Sequence, residues 1–445
     1  MIDNHDIIAA PATATGGAIS VVRVSGEGSV ECCDRIFRGR MRLADSAPGT
    51  VRHGCIVDGD RVVDDALVSV FRAPHSYTGE DSVEISVHGS RYIVSEVLRL
   101  LLGCGARMAS PGEFTIRAYL AGKMDLSQAE AVADMIASDS EAAHALASTQ
   151  MNGGYSASLQ ALRTQLLDAS SLLELELDFS EEDVEFADRR ELTSMIERLL
   201  DEVRGLVGSF STGNAIKEGV AVAIVGRPNV GKSTLLNRLV GDERAITSDV
   251  AGTTRDTVEA CCDIDGVRFR FIDTAGLRAT DDEIERLGIE RTRKAVADAN
   301  IIISMSEGED SRERVDVSDD QMLVEVVNKA DLLPDDARDG DDGTLYISAK
   351  SGEGVDELIY RIRSAVDTRM VYAGETVVSN ARHCDALLRS ATALERSLDA
   401  LRCGLSNELL SEELREVLNA LGEITGEVTS DDILQNIFSK FCIGK

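Results

Sequence analysis

The chain has 445 residues, 43% of them hydrophobic, and a net charge of −32, so it is long enough for about two to four domains with ordinary buried cores. Aromatics are only 4% and Trp is absent, which argues against a stacking platform for many bases. So acidic a chain repels nucleic acid over most of its surface, and a role on RNA requires a local basic patch or a partner that supplies one.

Residues 1–118 alternate strand-like runs with turns. Ile19–Val24, Ala66–Phe71 and Val83–Val87 are β-branched runs, and Arg91–Leu102 has helical spacing through Ile93, Val94, Val97, Leu98 and Leu101. A small α+β domain is expected here. The opening MIDNHDIIAAPATATGG lacks a basic stretch followed by an apolar run, so no signal peptide is expected. His53 and His88 are read as loop or strand-end residues, and the six His show no metal spacing.

From residue 119 to 217 strand signals vanish. Leu126, Ala129, Val132, Ala133 and Ile136 form one helical stripe, and Leu159, Leu162, Leu166 and Leu173 continue the pattern. Residues 369–445 are helical again, with Leu387, Leu388, Leu394, Leu398 and Leu401, then Leu409, Leu410, Leu414, Leu418 and Leu421. Between these blocks, at 218–368, strands alternate with helices: Ala221–Val225, Phe269–Ile272, Ile301–Ser304 and Leu323–Val327. That alternation predicts a doubly wound, mostly parallel sheet. The fold class is therefore multidomain α/β plus α, with a nucleotide domain inserted into a discontinuous helical domain. Pro334–Gly343 reads as an acidic surface loop. No apolar run approaches the length of a membrane span. Nine Cys with no C-x-x-C pair fit neither a disulfide framework nor a zinc site, and favour a reducing cytoplasm.

Four motifs in the central block carry chemistry. Gly226–Thr234 reads GRPNVGKST, directly after a strand and opening a helix. Its glycines let the backbone of Asn229, Val230, Gly231, Lys232, Ser233 and Thr234 curl around phosphates. Lys232 is expected to neutralise the terminal phosphates and Ser233 to ligate Mg²⁺. Asp273, Thr274, Ala275 and Gly276 close a second strand, with Asp273 placed to hold Mg²⁺ through water and the Gly276 N–H to sense the γ-phosphate. Asn328, Lys329, Ala330 and Asp331 close another, and the Asp331 carboxylate can accept both hydrogen bonds offered by guanine's ring N–H and amine. Ser348, Ala349 and Lys350 follow as the last base-contacting loop. Four motifs in this order, each at a strand end, point to GTP. Where many small GTPases carry Gln to orient water, this chain has Leu277, so catalysis is arranged otherwise or the intrinsic rate is low.

Further motifs carry a family resemblance. SDVAGTTRD at Ser248–Asp256, Asp273–Arg278 followed by DDEIERLGIE, PHSYTGEDSVEISVHG at 74–89, PGEFTIR at 111–117 and the terminal FCIGK at 441–445 resemble the MnmE/TrmE family of tRNA-modifying GTPases over essentially the whole chain. The resemblance implies a potassium ion beside the β/γ-phosphates, with Asn229, Ser248, Val250 and Thr253 as ligands and Thr254 on Mg²⁺. Asp249, Ala251 and Gly252 complete that nucleotide-facing loop. It further implies Glu285 as the residue that orients the attacking water, a position otherwise read as a solvated helical carboxylate.

The N-terminal domain is implied to bind a tetrahydrofolate derivative in 5,10-methylene or 5-formyl form, through Arg23, Glu84, Lys123 and Lys445. A pterin edge suits a carboxylate, and a glutamate tail suits Arg and Lys. Cys442 is either a catalytic thiol tuned by Lys445 or a small buried residue beside Phe441 and Ile443. Dimerisation is implied, as is a FAD-dependent MnmG/GidA partner in a heterotetramer. Together they are implied to add an aminomethyl-type group to ring carbon five of the wobble uridine of certain tRNAs, in the cytoplasm, with no membrane contact. The rival readings are a GTP switch in ribosome assembly, which should carry basic RNA-binding stripes or a GxxG loop, and a dynamin-like GTPase, which should carry a lipid-facing paddle. A departure from the family is the short, ragged stretch 304–322, where a longer helical segment is usual.

Overall fold

The computed structural model describes residues 6–178, 189–241, 260–272, 293–308, 315–318, 321–334, 343–439 and 441–444. It divides into two compact units, residues 1–133 with 422–445, and residues 134–421.

The first unit holds a seven-stranded sheet. Its strands are β1 (Ile8–Pro11), β2 (Ile19–Ser25), β3 (Phe37–Gly39), β4 (Thr50–Asp58), β5 (Arg61–Phe71), β6 (Ser82–His88) and β7 (Arg107–Met108). They lie in the order β3-β4-β5-β6-β2-β1-β7. Neighbours are antiparallel except β1 and β7. The three expected strands are present: β2 and β6 are one or two residues longer than their β-branched runs, and β5 starts five residues earlier, at Arg61. One face packs on the helix Arg91–Gly103, whose Val94, Val97 and Leu101 are buried with Val22, Val68 and Ile85. Each such side chain taken from water contributes about 1.5–3 kcal/mol. His53 lies inside β4, opposite Leu67, and not at a strand end. His88 does end β6, where its Nδ1 lies 2.8 Å from Asp64.

A charged network sits within this unit. Arg117, 2% exposed, hydrogen-bonds Asp6, Glu80 and Glu113, and Arg107 joins Asp6 and Glu113 as well. Burial alone would raise the Asp6 and Glu113 carboxyls, but the arginine hydrogen bonds outweigh it and hold both below their ordinary values of 3.8 and 4.5. Their stabilisation is therefore complete above the ordinary carboxylate range and fades as pH falls through the lowered values. Arg117→Ala leaves Glu113 buried with one partner fewer, and an expected loss of about 3–5 kcal/mol follows. Urea unfolding of the full chain checks this; a shift under 1 kcal/mol in the transition of this unit would show the network to be dispensable.

The second unit holds a six-stranded sheet: β8 (Val220–Val225), β9 (Ala260–Ile264), β10 (Val267–Ile272), β11 (Ile301–Ser306), β12 (Met322–Val327) and β13 (Leu345–Tyr346). Its order is β13-β12-β11-β8-β10-β9, parallel throughout except for the β9–β10 hairpin. Every residue of the central β8 is buried, as an apolar run in a parallel sheet covered on both faces should be. The helices Glu141–Met151, Gly154–Asp178, Arg189–Glu218 and Ala381–Arg402 supply the helical part. Ala142 and Leu146 join Val222, Phe269 and Ile303 in one core. This is the multidomain α/β plus α fold expected. Among the described residues, no helix is long and apolar enough to cross a membrane.

Candidate functional site

Three of the four nucleotide motifs lie at the carboxyl ends of parallel strands of this sheet, after β8, β12 and β13, where open α/β sheets bind ligands. The first loop leaves β8 at Gly226. Gly226 has φ 140, and a Cβ there would sit 2.2 Å from the Met305 carbonyl oxygen. Gly231 has φ 104, and its Cβ would sit 2.2 Å from Asn328 Nδ2. Only glycine fits either place. Asn229 also has positive φ, at 66, which Asn tolerates. The helix Lys232–Gly241 then starts, with Leu235 N–H donating to Gly231 O at 2.9 Å. A loop curled this tightly before a helix N-terminus presents backbone N–H groups to an anion. The Lys232 ammonium folds over the loop and donates to Gly226 O at 2.5 Å and Arg227 O at 2.9 Å, which puts its charge at the loop's mouth. Ser233 and Thr234 are exposed at the same end of the helix.

Asn328 joins the three motifs. Its side chain is 3% exposed. Nδ2 donates to Val230 O at 2.7 Å in the first loop, and Oδ1 accepts from Ala349 N–H at 2.9 Å in the last. A buried amide with both ends satisfied fixes the spacing of the loops it bridges. Lys329 turns the chain with φ 62 into the short 3-10 turn Ala330–Leu332, tied by Ala330 N–H to Ile347 O at 2.9 Å. That turn carries Asp331 into solvent. Arg238 holds the last loop from the other side, donating to Ala349 O at 2.8 Å and Lys350 O at 2.7 Å. The sequence places Asn328 in a base-reading motif; its bracing role and that of Arg238 emerge only from the contacts. Ser248, Asp249, Val250, Ala251, Gly252, Thr253, Thr254, Asp273, Thr274, Ala275, Gly276 and Glu285 lie outside the described residues. A hollow of about 310 Å³ elsewhere in this unit, edged by Lys217, Arg268 and Arg270, contains none of the motif residues.

In the first unit, Arg23 on β2 faces Glu84 on β6 in direct register, and the pair meets at 2.9 Å. The Arg23 guanidinium lies 5.0 Å from the Tyr77 ring centre and 5.7 Å from that of Phe114, within cation–π range. Its Nη1 also reaches Gly444 O at 3.5 Å. Gly444 has φ 102, and a Cβ there would meet Pro11 O at 2.1 Å, so the terminal motif needs glycine to lie down here. Cys442 O accepts from Gly112 N–H at 3.5 Å, but its thiol side chain is exposed, so the buried-residue reading fails for it. Phe441 is the residue that buries, against Phe438 and Leu126. Lys123 donates to Pro74 O at 2.9 Å, and Lys445 lies outside the described residues. Tyr77 and Phe114 were not singled out by the sequence, although both sit inside the quoted motifs.

Two family models match the chain: one described as the MnmE helical domain, over residues 126–442, and one as the GTP-binding protein TrmE N-terminus, over residues 7–123. The tRNA modification GTPase MnmE of Bacteroides thetaiotaomicron is 47% identical over 465 aligned positions, covering 99% of this chain and 100% of the relative. That of Flavobacterium johnsoniae is 46% identical over 464, with the same coverage. Among solved structures, an Aquifex aeolicus Era variant bound to GDP and aluminium fluoride matches at 28% identity and a TM-score of 0.24, over 39% of this chain and 65% of that one. A score that low carries no argument.

Proposed function

The chain belongs to the MnmE family of tRNA modification GTPases and is a GTP hydrolase, and from that premise we propose that its hydrolysis serves modification at ring carbon five of the wobble uridine. Its division of labour is 1–118 for folate binding and dimerisation, 119–217 and 369–445 for the helical domain, and 218–368 for the nucleotide. Lys232 and the loop N–H groups hold the phosphates, and Asp331 reads the base. Ser233 and Thr254 would hold Mg²⁺, while Asn229, Ser248, Val250 and Thr253 would hold K⁺. Both ions supply positive charge where the phosphates gain negative charge. The exposed Asn229 and Ser233 leave oxygens accessible at the loop, which suits hard cations.

The second site is Arg23, Glu84, Lys123 and Lys445. A tetrahydrofolate derivative there supplies the one-carbon unit. The observation that carries this half is the terminal segment lying on Arg23: Gly444 O meets the guanidinium already paired with Glu84. The Arg23 charge so placed suits an anionic tail, and the Tyr77 and Phe114 rings beside it suit a flat heterocycle. A FAD-dependent MnmG/GidA partner and a second copy of the chain complete the assembly. Cys442, exposed beside this segment, is the candidate thiol for a covalent or redox role.

Nucleoside analysis of total tRNA from cells lacking the chain tests the reading. The 5-substituted wobble uridines are expected to disappear and to return with the wild-type gene. Unchanged wobble uridines would sink it.

A further inference from the structure

One surface runs against the charge of the whole chain. Residues 35–42 read RIFRGRMR, four arginines in eight positions with no acid among them, in a chain of net charge −32. Arg35, Arg38, Arg40 and Arg42 are all exposed and edge an open hollow of about 630 Å³. Against their four guanidiniums the hollow sets two carboxylates, Glu31 and Asp34.

The backbone explains why the arginines face out. β3 is an edge strand, and its Phe37 is buried. A Cβ at Gly39 would come 2.6 Å from the Phe37 ring and one at Gly54, its partner on β4, 2.5 Å, so two glycines make room for the ring. Alternation along the strand then turns Arg38 to the other side. Arg42 is partly neutralised, its Nε donating to Asp34 at 2.8 Å. Arg38 and Arg35 donate to neutral carbonyls instead, Gly59 O at 3.0 Å and Cys104 O at 3.4 Å, and keep their charge.

We propose that this arginine-edged hollow binds the phosphate backbone of the tRNA substrate. The inference rests on the tRNA-modifying function and adds where this chain itself touches the RNA. Guanidinium forks match phosphate oxygens two at a time. No exposed aromatic lies among these residues to stack a base, so the contact positions the RNA without reading sequence. A competing role is simpler: charges on an edge strand prevent sheet-to-sheet pairing. That role needs charge of either sign, whereas phosphate binding needs positive charge.

The test titrates the full chain with total tRNA between 50 and 200 mM KCl. Arg38→Gln with Arg40→Gln is expected to weaken binding about tenfold and to lower the salt slope of log K by about two. Arg38→Glu with Arg40→Glu keeps an edge charged and is expected to weaken binding further while the chain stays monodisperse. Arg396→Gln, on the other unit and paired with Glu413 and Glu416, is expected to change neither affinity nor slope. Basal GTP hydrolysis stays at the parent rate in all of them. Parent affinity and slope in both double variants, or no tRNA binding by the parent chain, would overturn the proposal. So would displacement of tRNA by polyglutamate as readily as by RNA. If wobble modification depends on the chain but the double variants support it and bind tRNA normally, this inference alone fails. If modification never depended on the chain, the function beneath it fails too.

Discussion

Glu285→Ala is expected to slow single-turnover GTP cleavage by about 10²–10⁴-fold, the usual cost of losing a water-positioning or general-base group. The argument starts at Leu277, directly after the Asp273–Gly276 motif, whose side chain has no atom that can hydrogen-bond water. Another residue must then orient the nucleophile, and Glu285 holds the position that the family resemblance assigns to it. Ground-state affinity should hardly move. On the proposed reading, Lys232 and the loop that Gly226 and Gly231 allow to curl would hold the phosphates, and Glu285 belongs to neither. So Kd for a non-hydrolysable GTP analogue stays within a few-fold while cleavage collapses. The same assay run in potassium and in sodium separates the ion from the carboxylate. The parent is expected to be much faster in potassium, and Asn229→Ala is expected to erase that difference. Cleavage by the Glu285 variant at the parent rate in saturating potassium would reduce Glu285 to a solvated helix residue.

The parts of the fold that are legible in the sequence are those whose burial follows one simple pattern. Ala221–Val225 reads as a strand because a parallel strand covered on both faces is apolar throughout. The hairpin β9–β10 is harder. It turns at Asp265-Gly266, with φ of 49 and 76, the dipeptide that favours a tight hairpin turn. Yet β9 is ACCDI, which offers one β-branched residue, and the strand is hidden by its composition. β4 is hidden for another reason: Gly54 interrupts it to admit the Phe37 ring, and Thr50, Val51, Arg52 and His53 before it are half-buried or exposed, with no buried apolar position to show the alternation. The nucleotide motifs are legible because phosphate and base chemistry fix residue type and spacing together. The Arg117 network is legible only in part: Glu113 sits one helical turn before Arg117, an i, i+4 pair, but Asp6 and Glu80 meet it through tertiary folding and no spacing links them. The same holds for Arg23: its partner Glu84 follows from strand register, and Gly444 from a return of the chain 421 residues later.

Asp331→Asn is expected to weaken GTP by about 10²–10⁴-fold and to favour xanthosine triphosphate. A carboxylate accepts two hydrogen bonds, from guanine's ring N–H and its exocyclic amine, and each bond to a charged group is worth about 1.5–3 kcal/mol. Losing one, opposing it with a second donor and taking the charge from the other accounts for that range. Asparagine keeps one acceptor, now uncharged, for the ring N–H but turns an N–H₂ donor toward the guanine amine, itself a donor, so one pair is weakened and the other is replaced by opposition. Xanthine carries a carbonyl at that ring position, and the same N–H₂ then finds an acceptor. The substitution leaves the frame alone, because the turn Ala330–Leu332 is held by backbone bonds, Ala330 N–H to Ile347 O and Leu332 N–H to Lys329 O, both 2.9 Å. Asn328 keeps its two partners in the neighbouring loops. Asp331 itself is exposed, so the change costs little stability. Titration of both nucleotides against the parent and the variant measures the swap. A variant that still prefers GTP would move base reading from Asp331 to the backbone of Ser348–Lys350.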